Sequence, residues 1–213
     1  MAKPTRADFT AAEWRVVEKH RTPKQVQNWL RTIPYNFEKD KKSMRSFRTV
    51  VNDDTAHCLE AALCAAVVME QHNYPPLLLS LDSIDDLGHV VFLYRHNGLW
   101  GTVGRSRDAG LHGRKPVFRT ARDVAMSYFD PYVDFHGRIN GYAVVHLDEI
   151  GNYDWRFNVR NLWKLHDFLV DYEHIPIRSS DTRYKKLLAT YKEFKSKYPD
   201  RQATYYPNKD TWL

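Results

Sequence analysis

Residues 56–72 read AHCLEAALCAAVVMEQH, and this alanine-rich apolar stretch constrains the fold more than any other feature. The spacing predicts one long helix whose small side chains let other elements pack closely on it. Leu59, Leu63, Ala66 and Val67 fall on one side, as residues three and four apart do on a helix, and that side is expected to lie on a sheet. Asp53, Asp54 and Thr55 offer N-caps, and Asn73-Tyr74-Pro75-Pro76 ends the helix. Cys58 then sits about one turn after the cap and Cys64 in mid-helix. Six positions along a helix are about 9 Å, beyond the roughly 7 Å reach of a disulfide. Both thiols are therefore expected to be free, as in a reducing cytoplasm.

The chain after this helix supplies the sheet. Residues 77–82 read as a buried strand, 85–88 as a loop, and 89–95 and 99–105 as a hairpin about His96-Asn97-Gly98. Short strands are expected at 116–119 and 141–147, with a polar loop over 106–115. Helices start at Thr10 with Glu13, at Thr22 before Pro23, and at Thr120 with Asp123. Two more cover 161–172 and 183–198. Residues 36–48 are basic and read as a linker or wrapped arm. Helices, a central helix, adjacent antiparallel strands and helices again make an α+β pattern. The division expected is a core at 45–160 between helical extensions at 1–44 and 161–213. The part beyond Arg183, with its narrow stripe of Leu187, Leu188, Tyr191 and Phe194, is expected to be dispensable for the core.

With 213 residues, 43% hydrophobic and 27% charged, the chain is long enough to bury a core without disulfides or metal. No apolar run approaches the 18 residues of a membrane span. The N-terminus lacks the apolar region of a secretory signal, so the expected location is cytoplasmic. The net charge of +6 is unevenly placed. Residues 1–50 hold 12 Lys/Arg against 5 Asp/Glu, 51–150 hold 8 against 13, and 151–213 hold 12 against 8. The acidic middle disfavours a nucleic-acid groove there. No metal-ligand spacing and no phosphate-binding glycine loop is present, so neither metal nor cofactor is expected.

Cys58 carries the chemistry best. A thiolate at a helix start is stabilised by unpaired N–H groups and the macrodipole. The Cys58 N–H would be one oxyanion donor and the Asn52 amide a second. Asp53 and Asp54 act against this by raising the thiol pKa, and a small buried apolar role, as for Cys64, is the plainer alternative. His89 opens a strand and would face Cys58. Its ring needs a holder. Asp108 is preferred because a charge stabilises the imidazolium, and Ser106 is the alternative in register. His57, next to Cys58, would point about 100° away on a helix. Tyr128, Phe129, Tyr132 and Phe135 cluster as core or as cleft lining.

The segments AHCLEAALCAA, GHVVFLYRHNGLWGTVGRS and RSRDAGLHGRKPVF together resemble the transglutaminase-like branch of papain-fold thiol enzymes, as found in bacterial transglutaminase-like domain proteins. The resemblance implies a papain-like core in which Cys58 attacks an amide or ester carbonyl, His89 serves as base and acid, and a carboxylate orients the His. It implies a protein or peptide amide substrate cleaved or transferred through a Cys58 thioester. Many members have an aromatic two residues after the His and an Asp about four after the hairpin Trp; Val91 and Gly104 stand there. The rivals are a non-catalytic binding module that kept the fold, and a basic adaptor for nucleic acid or an acidic protein.

Overall fold

A computed structural model describes residues 2–38, 42–84, 88–133 and 137–213. The expected loop at 85–88 falls largely outside these residues, as do Phe135 and part of the 36–48 arm.

The helix at the centre, α4 (Cys58–Gln71), is buried from Leu59 to Glu70. It follows α1 (Ala11–Lys19), α2 (Pro23–Thr32) and α3 (Phe47–Asp53). Thr10 caps α1 through the expected box with Glu13, and Thr22 caps α2 as expected, boxed with Gln25. The arm yields more structure than its sequence suggests. Ser46 caps α3, whose Phe47 and Val50 are fully buried, and Asp54 ends it in the left-handed region at φ 52°. Asp53 and Asp54 thus close one helix and do not open the next. The N-cap of α4 is His57, in extended conformation, boxed with Glu60.

Six antiparallel strands follow: β1 (Leu77–Ser83), β2 (His89–His96), β3 (Leu99–Val103), β4 (Arg114–Phe118), β5 (Ile139–His146) and the two-residue β6 (Ile175–Pro176). They lie in the order β4-β3-β2-β1-β5-β6. The expected hairpin forms, with His96 opposite Leu99 and a tight turn at Asn97 (φ 49°) and Gly98 (φ 79°). Between β4 and β5 lies α5 (Ala121–Tyr132), capped by Thr120 with Asp123. After β5 come α6 (Trp163–Val170) and α7 (Asp181–Lys197).

Alternation along β2 sorts the core into two. Val90, Phe92 and Tyr94 join α4 in one apolar cluster, with Leu59, Leu63, Ala66 and Val67 among its members. Val17, Val26, Leu30, Phe47 and Leu165 from the surrounding helices, with Phe9 just before α1, join that cluster. Val91 and Leu93 turn the other way and meet Val124, Ala125, Tyr128 and Phe129 of α5, with Leu187 of α7 at the margin. The chain is α+β, a six-stranded antiparallel sheet between helices. Among the described residues no helix is long and apolar enough to cross a membrane.

Both ends of α4 are tied down by buried carboxylates. Glu60 accepts from the His57 N–H (2.9 Å), Ser43 Oγ (2.7 Å) and the Arg45 N–H (3.0 Å). Glu70 takes a bidentate pair from Arg156, at 2.9 and 2.7 Å. Such fully bonded anchors fix the helix along its axis and hold its first turn in place.

The final segment folds back over the sheet edge. Gln202 accepts from the Ala109 N–H (2.9 Å) and donates to the Arg107 carbonyl (2.7 Å). Trp212 bridges to Arg114, and the Leu213 N–H donates to the Gly113 carbonyl at 3.0 Å. Tyr206 is buried, so the region beyond Arg183 is not an appendage: α7 has no buried residue, but the tail after it is docked.

Candidate active site

Cys58 is the first residue of α4 and is half-buried, whereas Cys64 is fully buried; both are free thiols. Two histidine rings stand within hydrogen-bonding reach of the Cys58 sulfur: His57 from the N-cap and His89 from the start of β2. Burial pushes the Cys58 thiol up, but hydrogen bonds and positive charge from His57 and His89 more than offset this, and the thiol lies well below its ordinary value. Cys64 goes the opposite way, raised by burial and by Glu60.

His57 was expected to point away, on the premise that it is helical. As an extended N-cap it is not bound by the 100° step, and its ring reaches the thiol. Its Nε2 lies 3.0 Å from the Ser43 carbonyl, and Nδ1 accepts from the Leu59 N–H at 3.2 Å. Burial pulls the ring down, but the Cys58 thiolate, Glu60 and the Ser43 carbonyl push it up to about 9. Nδ1 caps Leu59 only when the ring is neutral, since a charged ring carries a proton on both nitrogens and has no acceptor.

His89 is 3% exposed, and its Nε2 donates to the Leu111 carbonyl oxygen at 2.8 Å. That occupies one ring nitrogen and leaves Nδ1 for the sulfur. The ring packs edge-on against Tyr128, with centroids 5.8 Å apart. The holder is thus a main-chain carbonyl from the Ala109–Leu111 turn. Neither sequence candidate holds the ring. The Asp108 side chain is 42% exposed and pairs with Arg107 at 3.4 Å. Ser106 is buried, and it is its carbonyl that accepts, from Arg105 (2.7 Å) and the His112 ring (2.9 Å). Loop geometry outran strand register: the chain turns after Val103, so the alternation that placed Asp108 beside His89 no longer applies.

Asn52 is not at the thiol either. It lies exposed in the last turn of α3, its amide donating to Asp53 at 2.9 Å. Asp53 pairs with Arg45 at 3.4 Å, which neutralises one of the anions expected to oppose the thiolate. The polar neighbour that the sequence does not disclose is Tyr35. Its residue bridges in parallel to Ala56, two positions before Cys58. Burial and then the Cys58 charge push the Tyr35 hydroxyl far up, so it remains a proton donor.

Val91 and Gly104 compete for one space. A Cβ on Gly104 would lie 2.4 Å from Val91 Cγ1. A side chain at 104 would need Val91 to shift. Tyr128, Phe129 and Tyr132 are core of the second cluster. Among the described residues no group of three His, Cys, Asp or Glu side chains converges as metal ligands would. No family model and no curated protein matches the chain.

Proposed function

We propose that the protein is a thiol-dependent amide hydrolase or acyltransferase of transglutaminase-like type, acting through a thioester on Cys58. The observation that carries this is a half-buried cysteine at a helix start with two histidines on its sulfur, one of them held at its far nitrogen. A buried structural cysteine needs none of these, and Cys64 has none.

The chemistry follows from the atoms. The Cys58 thiolate attacks an amide carbon, the C–S bond forms, and the carbonyl pair moves to oxygen. The Cys58 N–H, first of α4 and uncommitted among the described residues, receives that oxyanion with the Tyr35 hydroxyl beside it. Collapse breaks the C–N bond, and the Nδ1 proton of the His89 imidazolium passes to the leaving amine. Water, or an acceptor amine, then attacks the thioester and gives a proton to His89 as the thiolate leaves. Need for an acid on the amine is what an imidazolium supplies and an isolated thiol does not.

One observation favours the rival reading of a binding module. The Leu111 carbonyl offers His89 a dipole where a carboxylate would offer a charge, and a dipole stabilises imidazolium less. Incubation with p-nitrophenyl acetate distinguishes the two. An enzyme releases a stoichiometric burst of nitrophenolate, places acetyl on Cys58, and then turns over. Acetyl that stays on Cys58 supports the binding module. No acetyl on Cys58, or as much on Cys64, overturns the proposal.

A further inference from the structure

The buried guanidinium of Arg114 is a feature that the reaction above does not use. It is fully buried, at the start of β4, and its partners are neutral oxygens. Nη2 donates to the Gly110 carbonyl (2.6 Å) and the Ser127 carbonyl (3.2 Å). Nη1 donates to the His112 carbonyl (2.8 Å) and the Gly113 carbonyl (3.4 Å), and Nε to Ser127 Oγ (3.1 Å). All five donors are used, and the cation lies 4.0 Å over the Tyr128 ring. Desolvating a cation with no carboxylate beside it is costly. An apolar side chain would fill the space without that cost, so the arrangement calls for a reason.

Gly110 and His112 flank Leu111. Their carbonyls are drawn to the guanidinium, while that of Leu111 goes to His89. The Tyr128 hydroxyl donates to the same His112 carbonyl at 2.9 Å. On the other side of the turn, Gln27 of α2 accepts from the N–H groups of Gly104 (3.0 Å) and Gly113 (3.1 Å). A Cβ on Gly113 would lie 2.3 Å from Gln27 Oε1, so glycine is needed for this approach.

We propose that Arg114, with the Tyr128 hydroxyl, is the positioning device for His89: it fixes the carbonyls either side of Leu111, so that the Leu111 carbonyl takes Nε2 and Nδ1 is left for Cys58. Arg114 touches neither sulfur nor substrate and acts through the loop. The inference rests on the thiol-enzyme reading and concerns what holds its base.

The test is the pH dependence of Cys58 alkylation by iodoacetamide, followed by mass spectrometry in wild type, Arg114→Lys and Tyr128→Phe, with thermal melts of each. Lysine keeps the charge and loses the fork. The expected result for Arg114→Lys is a labelling midpoint higher by about one pH unit and a rate about tenfold lower at pH values below both midpoints, since one unit of pKa is a tenfold change in thiolate where the thiolate is the minor form. Tyr128→Phe is expected to move both in the same direction by a smaller amount. A merely structural arginine would lower the melting temperature and leave the midpoint of the folded protein where it is. A wild-type midpoint in Arg114→Lys overturns the proposal; where that variant does not fold, a wild-type midpoint in Tyr128→Phe does so. If wild-type Cys58 labels no faster than Cys64, the enzyme reading itself fails, which is a separate result.

Discussion

His89 donates from Nε2 to the main-chain oxygen of Leu111 at 2.8 Å, and this bond sets which ring nitrogen faces Cys58. The third partner is therefore a carbonyl that no substitution at position 111 removes directly. It follows that Asp108→Ala, at a side chain 42% exposed and paired with its neighbour Arg107, leaves Cys58 alkylation at the wild-type rate. His89→Ala is expected to slow it by up to tenfold for each unit by which the thiol pKa rises. Slow labelling in Asp108→Ala would restore the carboxylate to the site.

His57 stabilises the thiolate in a second way that can be separated from capping. Asn is a good N-cap, so His57→Asn keeps an acceptor for the Leu59 N–H and removes the charge. Cys58 labelling near neutral pH should fall, and with it the stability that the charged ring contributes there. The pH dependence has a defined direction. A ring raised from 6.5 to about 9 stabilises the fold fully below about 6.5, and this contribution is lost as pH rises through about 9. The depressed Cys58 thiol contributes above its unfolded value and loses that contribution as pH falls through the folded one. Chemical denaturation of both proteins from pH 6 to about 10 checks the His57 part: the stability difference between them should shrink toward the alkaline end.

Gly104 and Val91 compete for one volume. Gly104→Ala puts a methyl 2.4 Å from Val91 Cγ1 and is expected to destabilise the fold by about 1–3 kcal/mol. Adding Val91→Ala in the same chain should recover part of this, because the clashing atom is gone. Equal melting temperatures for wild type and Gly104→Ala would show that the strand relaxes freely.

Truncation after Arg201 removes Gln202, Tyr206 and Trp212, which hold the 107–114 loop from outside. Two direct hydrogen bonds from Gln202 contribute about 0.5–1.5 kcal/mol each, and the buried Tyr206 adds to them. The shortened chain should melt earlier and label more slowly at Cys58. If both quantities stay at wild-type values, the tail is an ornament of the loop and not its support.

Much of the scaffold was readable because its signals are local. Thr10 with Glu13, Thr22 before Pro23, Thr120 with Asp123 and the Asn97-Gly98 turn each state their own structure. Cys58 and His89 were legible as candidates for the same reason: one begins a helix and the other a strand. What failed depended on distant chain. Asp53 and Asp54 look like caps for α4, but Phe47 and Val50 find a core position and draw those residues into α3. The box of His57 with Glu60 was visible at the right spacing and would have moved the helix start by one turn. The Leu111 carbonyl could not be read at all, since a main-chain oxygen has no letter in the sequence. Arg114 looked like one more loop cation until the turn closed around it.

The central claim is that Cys58 is an activated thiolate and Cys64 an inert core thiol. Brief iodoacetamide treatment of the native protein across pH 5 to about 9, with each cysteine quantified by mass spectrometry, tests it most directly. Cys58 should be modified with a midpoint well below that of an ordinary thiol, and Cys64 should stay unmodified until the protein unfolds. Equal labelling of the two, or a Cys58 midpoint at or above the ordinary thiol value, would contradict it.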